Sequence, residues 1–247
     1  MTNYNFNYTF KSINDIQKKS NHTVVFTGGN SPKVNNCLDF FNSKIQANVV
    51  IAADSGLETA NEFNFKVDYI LGDLDSLQDK NLINKFIQKK AILEQFNPYK
   101  DFTDTELALI LAREVTYDNG IITLVGGSGL RVDHFFSNFS IYYSNLQIDY
   151  WLTEQQLITK VNKNLTCQIL PKNANSPISV INYKNLANLK FNSNGLEWES
   201  NLFRNSFMPS LSNVIKKQNF DSNLLCTISC NEDFLLVTDL DTKVEFI

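Results

Sequence analysis

A chain of 247 residues, 43% apolar and 19% charged, is long enough to bury a core without disulfides or a structural metal. Its 22 basic and 26 acidic side chains give a net charge of −4 with no long Lys/Arg run, which excludes a surface built to bind nucleic acid or anionic lipid. Any phosphate-bearing ligand must be held locally. The amino-terminal stretch has no apolar signal region, and no run reaches the length of a membrane span. The four cysteines, Cys37, Cys167, Cys226 and Cys230, form no CxxC pair. These features predict a cytoplasmic protein with reduced, buried thiols and neither a zinc site nor a membrane partner.

After a polar leader, residues 1–22, apolar runs alternate with helical patterns, the rhythm of a parallel α/β sheet. Strands are predicted at Thr23–Thr27, Asn48–Ala53, Val67–Leu71, Ala91–Phe96, Ile121–Val125 and Gln147–Leu152, with helices near 34–43, 56–64, 78–90, 104–116 and 132–144. From about residue 154 the pattern changes to short alternating runs separated by Asn, Ser, Gly and Pro, including Leu157–Val161, Thr166–Leu170, Ile178–Ile181, Leu224–Ser229 and Phe234–Thr238. The expected architecture is α/β: a Rossmann-like parallel-sheet domain over residues 1–153, then an all-β sandwich over residues 154–247.

The acids of the first part fall where its strands end. Asp54 follows the second strand, Asp73 and Asp75 the third, Asp101 and Asp104 the fourth, and Asp133 lies beyond the fifth. In a doubly wound parallel sheet all carboxyl ends open on one edge, and ligands bind there where the strand order reverses. Like charges so gathered need a cation among them, and hard oxygen ligands without His or Cys specify Mg²⁺. The same edge carries Gly28-Gly29 and Gly126-Gly127-Ser128-Gly129, whose backbone can approach an anion, with Lys100 and Arg131 beside the acids. A magnesium-bound polyphosphate satisfies all of these groups together. Neither GxxxxGK[ST] nor GxGxxG is present, so the cradle is of another kind.

A plainer account exists for single residues. Thr103–Glu106 and Ser55–Glu58 each fit a capping box, in which Asp54 and Asp104 would merely decorate helix starts. That account does not cover Asp73 and Asp75 in Gly72-Asp73-Leu74-Asp75-Ser76, nor the coincidence of all the acids on one edge.

In order and spacing, Ala53–Leu57 (ADSGL), Val67–Ser76 (VDYILGDLDS), Lys100–Leu109 (KDFTDTELAL) and Gly126–His134 (GGSGLRVDH) resemble the thiamine pyrophosphokinase family. Gly195–Trp198 (GLEW) and Ser210–Asn213 (SLSN) resemble the family's vitamin-binding β-domain signature. The resemblance implies transfer of the pyrophosphoryl group of ATP to the hydroxyl of thiamine, with Mg²⁺, in a homodimer. It implies catalytic roles for Asp73, Asp75, Asp104, Arg131 and Asp133, with Asp73, Asp75 and Asp104 on the metal. ATP would meet Gly28, Gly29, Asp54, Ser55, Lys100, Asp101, Gly127, Arg131 and His134, and thiamine would meet Asp75, Trp198, Ser212 and Asn213. Two positions depart from the family: Ser55-Gly56 stands where two glycines are common, and Asn205 where a glycine is frequent.

Rival readings explain less. A haloacid-dehalogenase-like phosphatase needs Thr or Val where Leu77 stands, and a nucleotide-sugar transferase leaves GGSGLRVDH without a role. A pyrophosphokinase for another small alcohol, such as a pterin, and a non-catalytic nucleotide or thiamine sensor remain as alternatives.

Overall fold

The computed structural model of the protein describes residues 8–13, 16–17, 19–44, 47–129, 131–183, 189–199 and 210–247. The chain divides into two compact units, Met1–Glu154 and Gln155–Ile247.

The first unit is a parallel sheet with helices between its strands. Its elements are β1 (Ser20–Phe26), α1 (Val34–Lys44), β2 (Val49–Ala53), α2 (Gly56–Glu62), β3 (Tyr69–Gly72), α3 (Asn81–Gln88) and β4 (Ile92–Gln95). Then follow α4 (Asp104–Val115), β5 (Thr116–Val125), α5 (Val132–Ser140) and, after a 3₁₀ turn at Ile141–Tyr143, β6 (Tyr150–Leu152). The strands pair in parallel in the order β6-β5-β1-β2-β3-β4. The order therefore reverses between β1 and β5, which opens a crevice beyond their carboxyl ends. Every residue of β2 and β3 is buried, as it must be when both sheet faces are covered. The Phe26 ring at the end of β1 meets Phe63 and Phe65, while the hydroxyl of the next residue, Thr27, bonds Thr105 of α4.

A strand start and a helix cap depart from the sequence expectation. β5 starts at Thr116, directly after α4, because the Thr116 hydroxyl donates to Ala112 O and bonds the Thr23 hydroxyl, which ties the strand start to β1. Of the two expected capping boxes, Thr103–Glu106 forms in both directions: the Thr103 hydroxyl accepts from Glu106 N at 3.1 Å, and the Glu106 carboxylate accepts from Thr103 N at 2.7 Å. Ser55–Glu58 does not form. Ser55 makes no side-chain cap, and the Glu58 carboxylate instead accepts the N–H groups of Gln78 and Asp79 at 2.8 and 2.9 Å, fixing the turn before α3.

The second unit contains β7 (Gln156–Val161), β8 (Thr166–Leu170), β9 (Ile178–Ile181), β10 (Phe191–Asn194), β11 (Ser210–Asn213), the short helix α6 (Lys217–Asp221), β12 (Cys226–Cys230), β13 (Phe234–Asp239) and β14 (Lys243–Phe246). All pairs are antiparallel, in two groups ordered β11-β9-β13-β7 and β10-β12-β8-β14. Both groups contribute to one apolar cluster, with Val161, Val180 and Leu236 from the first and Ile169, Ile228 and Val244 from the second. β10 and β14 were not foreseen: as flanking strands with one half-covered face they carry too few apolar residues to signal themselves. All four cysteines are free and buried. Among the described residues no helix is long and apolar enough to cross a membrane.

Candidate active site

The crevice at the carboxyl edge of the first unit is a cleft of about 640 Å³. Its two glycine loops, after β1 and after β5, are joined by backbone bonds: Gly127 N donates to Gly28 O at 2.9 Å, and Asn30 N to Ser128 O at 2.7 Å. The second loop is held from beneath by Asn138 of α5, 5% exposed, whose amide donates to Gly127 O at 3.2 Å. A Cβ on Gly127 would lie 2.5 Å from that amide, at φ +72°, so only glycine fits. Asn138 was missed in the sequence because a mid-helix Asn in an Asn-rich chain gives no signal.

The acids gather as the strand ends predict. Asp54, Asp73 and Asp75 each place a carboxylate oxygen within 4.8 Å of the others. Asp54 and Leu74 are left-handed, at φ +49° and +62°, conformations that cost roughly 1–3 kcal/mol each in non-glycine residues and concentrate at functional sites. Leu74 is buried, which leaves its two acidic neighbours lining the cleft. Asp104, at the first turn of α4, meets Lys100 Nζ at 3.2 Å, and the same ammonium lies 4.0 Å from Asp73. Lys100 is thus the cation that the protein itself supplies among the acids.

The electrostatics record strain that one lysine does not remove. Burial pushes the Asp54 carboxyl above its ordinary pKa, hydrogen bonds from Ser76 and Ser55 oppose this, and the charges of Asp73 and Asp75 add to the rise. Burial also raises Asp104, against the pull of Lys100. One oxygen of Asp54, Oδ1, is buried with no hydrogen-bond partner. An orphaned carboxylate oxygen within a trio of acids fits a divalent cation held by oxygen ligands.

Gly28, Gly29, Ser55, Asp101, Gly127, Arg131 and His134 all line the cleft. Asp133 is not among the lining residues: both of its oxygens accept from the Arg131 guanidinium, which holds its carboxyl well below the usual range. The lining also includes Thr27, Ser76, Pro98, Phe102 and Thr105, which sequence reasoning did not single out. They carry no charge and follow only from the path of the loops.

In the second unit, Asn213 is 2% exposed, and its side chain bridges the backbone of Trp198: Oδ1 accepts from Trp198 N and Nδ2 donates to Trp198 O, both at 3.2 Å. Ser212 is exposed and left-handed at φ +54°, with its N–H on the Ser179 hydroxyl at 2.9 Å. Trp198 is 49% exposed. Asn213 therefore fixes the GLEW turn beside SLSN, which leaves Ser212 and Trp198 facing solvent. Asn205 lies outside the described residues.

Comparison with known proteins finds a family model and several solved structures that match this chain. Residues 40–152 match the model of the family described as thiamin pyrophosphokinase, catalytic domain. No curated protein sequence matches the chain. Among solved structures, the fold is similar to thiamine pyrophosphokinase from Bacillus subtilis, at 20% identity and TM-score 0.62 over 88% of this chain and 98% of that one. It is similar to a thiamin pyrophosphokinase family protein from Enterococcus faecalis, at 19% identity and TM-score 0.61 over 88% and 98%. Thiamin pyrophosphokinase from Candida albicans matches at 17% identity and TM-score 0.61 over 89% of each chain. The matched segment runs from within α1 to the end of β6 and carries all six acids read from the strand ends, so the first unit resembles the catalytic domain of the thiamin pyrophosphokinase family.

Proposed function

We infer that the chain is a thiamine pyrophosphokinase, which transfers the pyrophosphoryl group of ATP to thiamine and releases AMP. The observation that carries this is the trio Asp54, Asp73 and Asp75 beside Lys100, at the crevice of a sheet whose matched segment is that of the family. The thiamine hydroxyl oxygen forms a bond to the β-phosphorus of ATP, and the bond from that phosphorus to the α,β-bridging oxygen breaks, so the electron pair leaves with AMP.

We assign the first unit to ATP, on a doubly wound, Rossmann-like frame, and the second to thiamine, as a β-sandwich. Asp54, Asp73 and Asp75 are the residues that would hold Mg²⁺, with the Asp104–Lys100 pair adjacent. Bound there, the cation supplies charge neutralisation and polarisation of phosphate oxygens. The protein's own contribution is positional. The loops at Gly28-Gly29 and Gly127-Ser128 present backbone N–H groups to phosphate, and Lys100 adds a point charge where negative charge accumulates. Arg131 sits at the rim with two of its N–H groups committed to Asp133, which fixes the plane of the guanidinium for the transferred group. Asp133, held ionised and acidic by that pair, is a poor proton acceptor, so Asp75 is the better candidate to orient the thiamine hydroxyl and take its proton.

Trp198 offers a flat face to a cationic heterocycle, and Ser212 offers a hydroxyl beside it. We read the enzyme as a cytoplasmic homodimer. The exposed side chains of Val132, Phe136 and Tyr143 along α5 and the turn after it support a partner surface, and four free buried thiols suit a reducing compartment.

Incubation of the purified protein with Mg²⁺, ATP and thiamine, followed by product identification, tests the reading. AMP with thiamine diphosphate is expected. ADP with thiamine monophosphate would redirect the assignment to a simple kinase, and tight binding without product to a sensor.

A further inference from the structure

The polar leader lies outside the family resemblance, yet part of it is built into the first unit. Glu94, the one fully buried residue of the flanking strand β4, is 2% exposed and faces no cation in that strand. Its carboxylate is satisfied by the leader instead: the N–H groups of Lys11 (2.8 Å) and Ser12 each donate to one of its oxygens. Two backbone donors on one buried carboxylate form a specific anchor, because the Glu94 carboxylate left alone would be an unsatisfied charged group in the interior. Phe10 and Ile13 on either side of the anchor are buried as well, at 5% and 6%.

The anchor delivers an aromatic contact to the cleft loop. The Tyr8 ring stands edge-on to Phe96 at 5.6 Å and to Phe102 at 6.3 Å, and Phe10 lies 6.5 Å from Phe96. Phe96 and Phe102 bracket the loop that carries Pro98, Lys100 and Asp101, and Phe102 itself lines the cleft. Lys100 Nζ lies 5.8 Å from the centre of the Phe96 ring and 3.2 Å from Asp104. A continuous packed path thus runs from Glu94 through the leader to the ammonium among the acids.

We propose that leader residues 8–13, anchored on Glu94, position Lys100 in the active site by clamping Phe96 and Phe102 with Tyr8. Tyr8 is a positioning residue that acts through Lys100, and the leader is a part of the catalytic unit supplied from outside the family core. This rests on the thiamine pyrophosphokinase reading for its consequence, though the clamp itself does not.

The test has an activity-independent arm. Trypsin cleavage after Lys100, mapped by mass spectrometry, is expected to be slow in the parent and several-fold faster in Tyr8→Ala, while Tyr8→Phe, which keeps the ring, matches the parent. An unchanged cleavage rate in folded Tyr8→Ala overturns the clamp. The second arm is a double-mutant cycle on kcat/KM. Tyr8→Ala should lose at least about tenfold, within the roughly hundredfold that a misplacement of about 1 Å costs. In a Lys100→Ala background the same change should lose nothing further. Losses that multiply would overturn action through Lys100. If Tyr8→Ala fails to fold, Glu94→Gln keeps the side-chain volume but puts an NH2 donor where one accepting oxygen stood, so it breaks one of the two anchor bonds, and both arms are read on it. Accelerated cleavage in a protein that makes no thiamine diphosphate would support the clamp and refute the proposed function separately.

Discussion

Replacement of Asp54 by Asn should stabilise the cation-free protein while it abolishes the site. Asn is nearly isosteric with Asp and tolerates the left-handed backbone that Asp54 adopts at φ +49°, so the turn after β2 survives. What disappears is one negative charge whose oxygen lies within 4.8 Å of oxygens on Asp73 and Asp75. A pair of unit charges at that separation repels by about 1 kcal/mol in water and about 3.5 kcal/mol at an effective dielectric near 20. Asp75 is exposed and the cleft admits solvent, so the two pairs together are placed toward the screened end, at about 1–3 kcal/mol. For a protein of this size that corresponds to a rise in Tm of roughly 2–12 °C. The assay is thermal denaturation in chelator at neutral pH, repeated with excess Mg²⁺. The sign with pH follows from the raised carboxyl: its charge destabilises the fold above the folded-state pKa and ceases to do so as pH falls through it. The advantage of Asp54→Asn should therefore shrink on acidification. Mg²⁺ should raise the parent's Tm more than the variant's. A variant less stable than the parent in chelator, or equal stabilisation of both by Mg²⁺, would refute the reasoning.

Two further substitutions probe the site and the fold apart. Asp73→Asn should leave the thermal transition intact and cost about 3 kcal/mol or more of transition-state stabilisation, roughly a hundredfold in turnover; near-parental turnover in steady-state assays would remove Asp73 from the site. Gly56→Ala should destabilise the first unit by at least about 1–3 kcal/mol, because its Cβ would sit 2.4 Å from the backbone carbonyl of Phe26, where no side chain can yield. Urea denaturation followed by circular dichroism checks this, and an unchanged midpoint would contradict the close approach of α2 to β1.

The departure at Ser55-Gly56 is explained by the same contact. Gly56, not Ser55, is the residue pressed against β1, so glycine is retained where backbone meets backbone. Ser55 lines the cleft, where a hydroxyl has room and can serve a ligand.

Much of this protein was legible without coordinates. The alternation of apolar strands with helical patterns fixed the parallel sheet, since strands covered on both faces must be continuously apolar. Chain order then put Asp54, Asp73, Asp75 and Asp104 on one edge, because every strand of such a sheet ends on the same side. The Thr103–Glu106 cap was readable for a similar reason: its partners are three residues apart, within one turn.

Only the tertiary structure decided which groups touch. It joined Asp54 to Asp73 and Asp75, gave Lys100 to Asp104, and bound Asp133 to Arg131 at the rim. It gave Glu58 to the turn before α3 rather than to its own helix start, and Asn138 to the glycine loop that precedes α5. It also seated the leader on Glu94, more than 80 residues along the chain, through backbone N–H groups that every sequence possesses. The sequence determined what lies along each element, because periodicity and capping act between near neighbours. Contacts between elements depend on loop paths and on left-handed turns at Asp54 and Leu74, for which residue identity carries almost no signal.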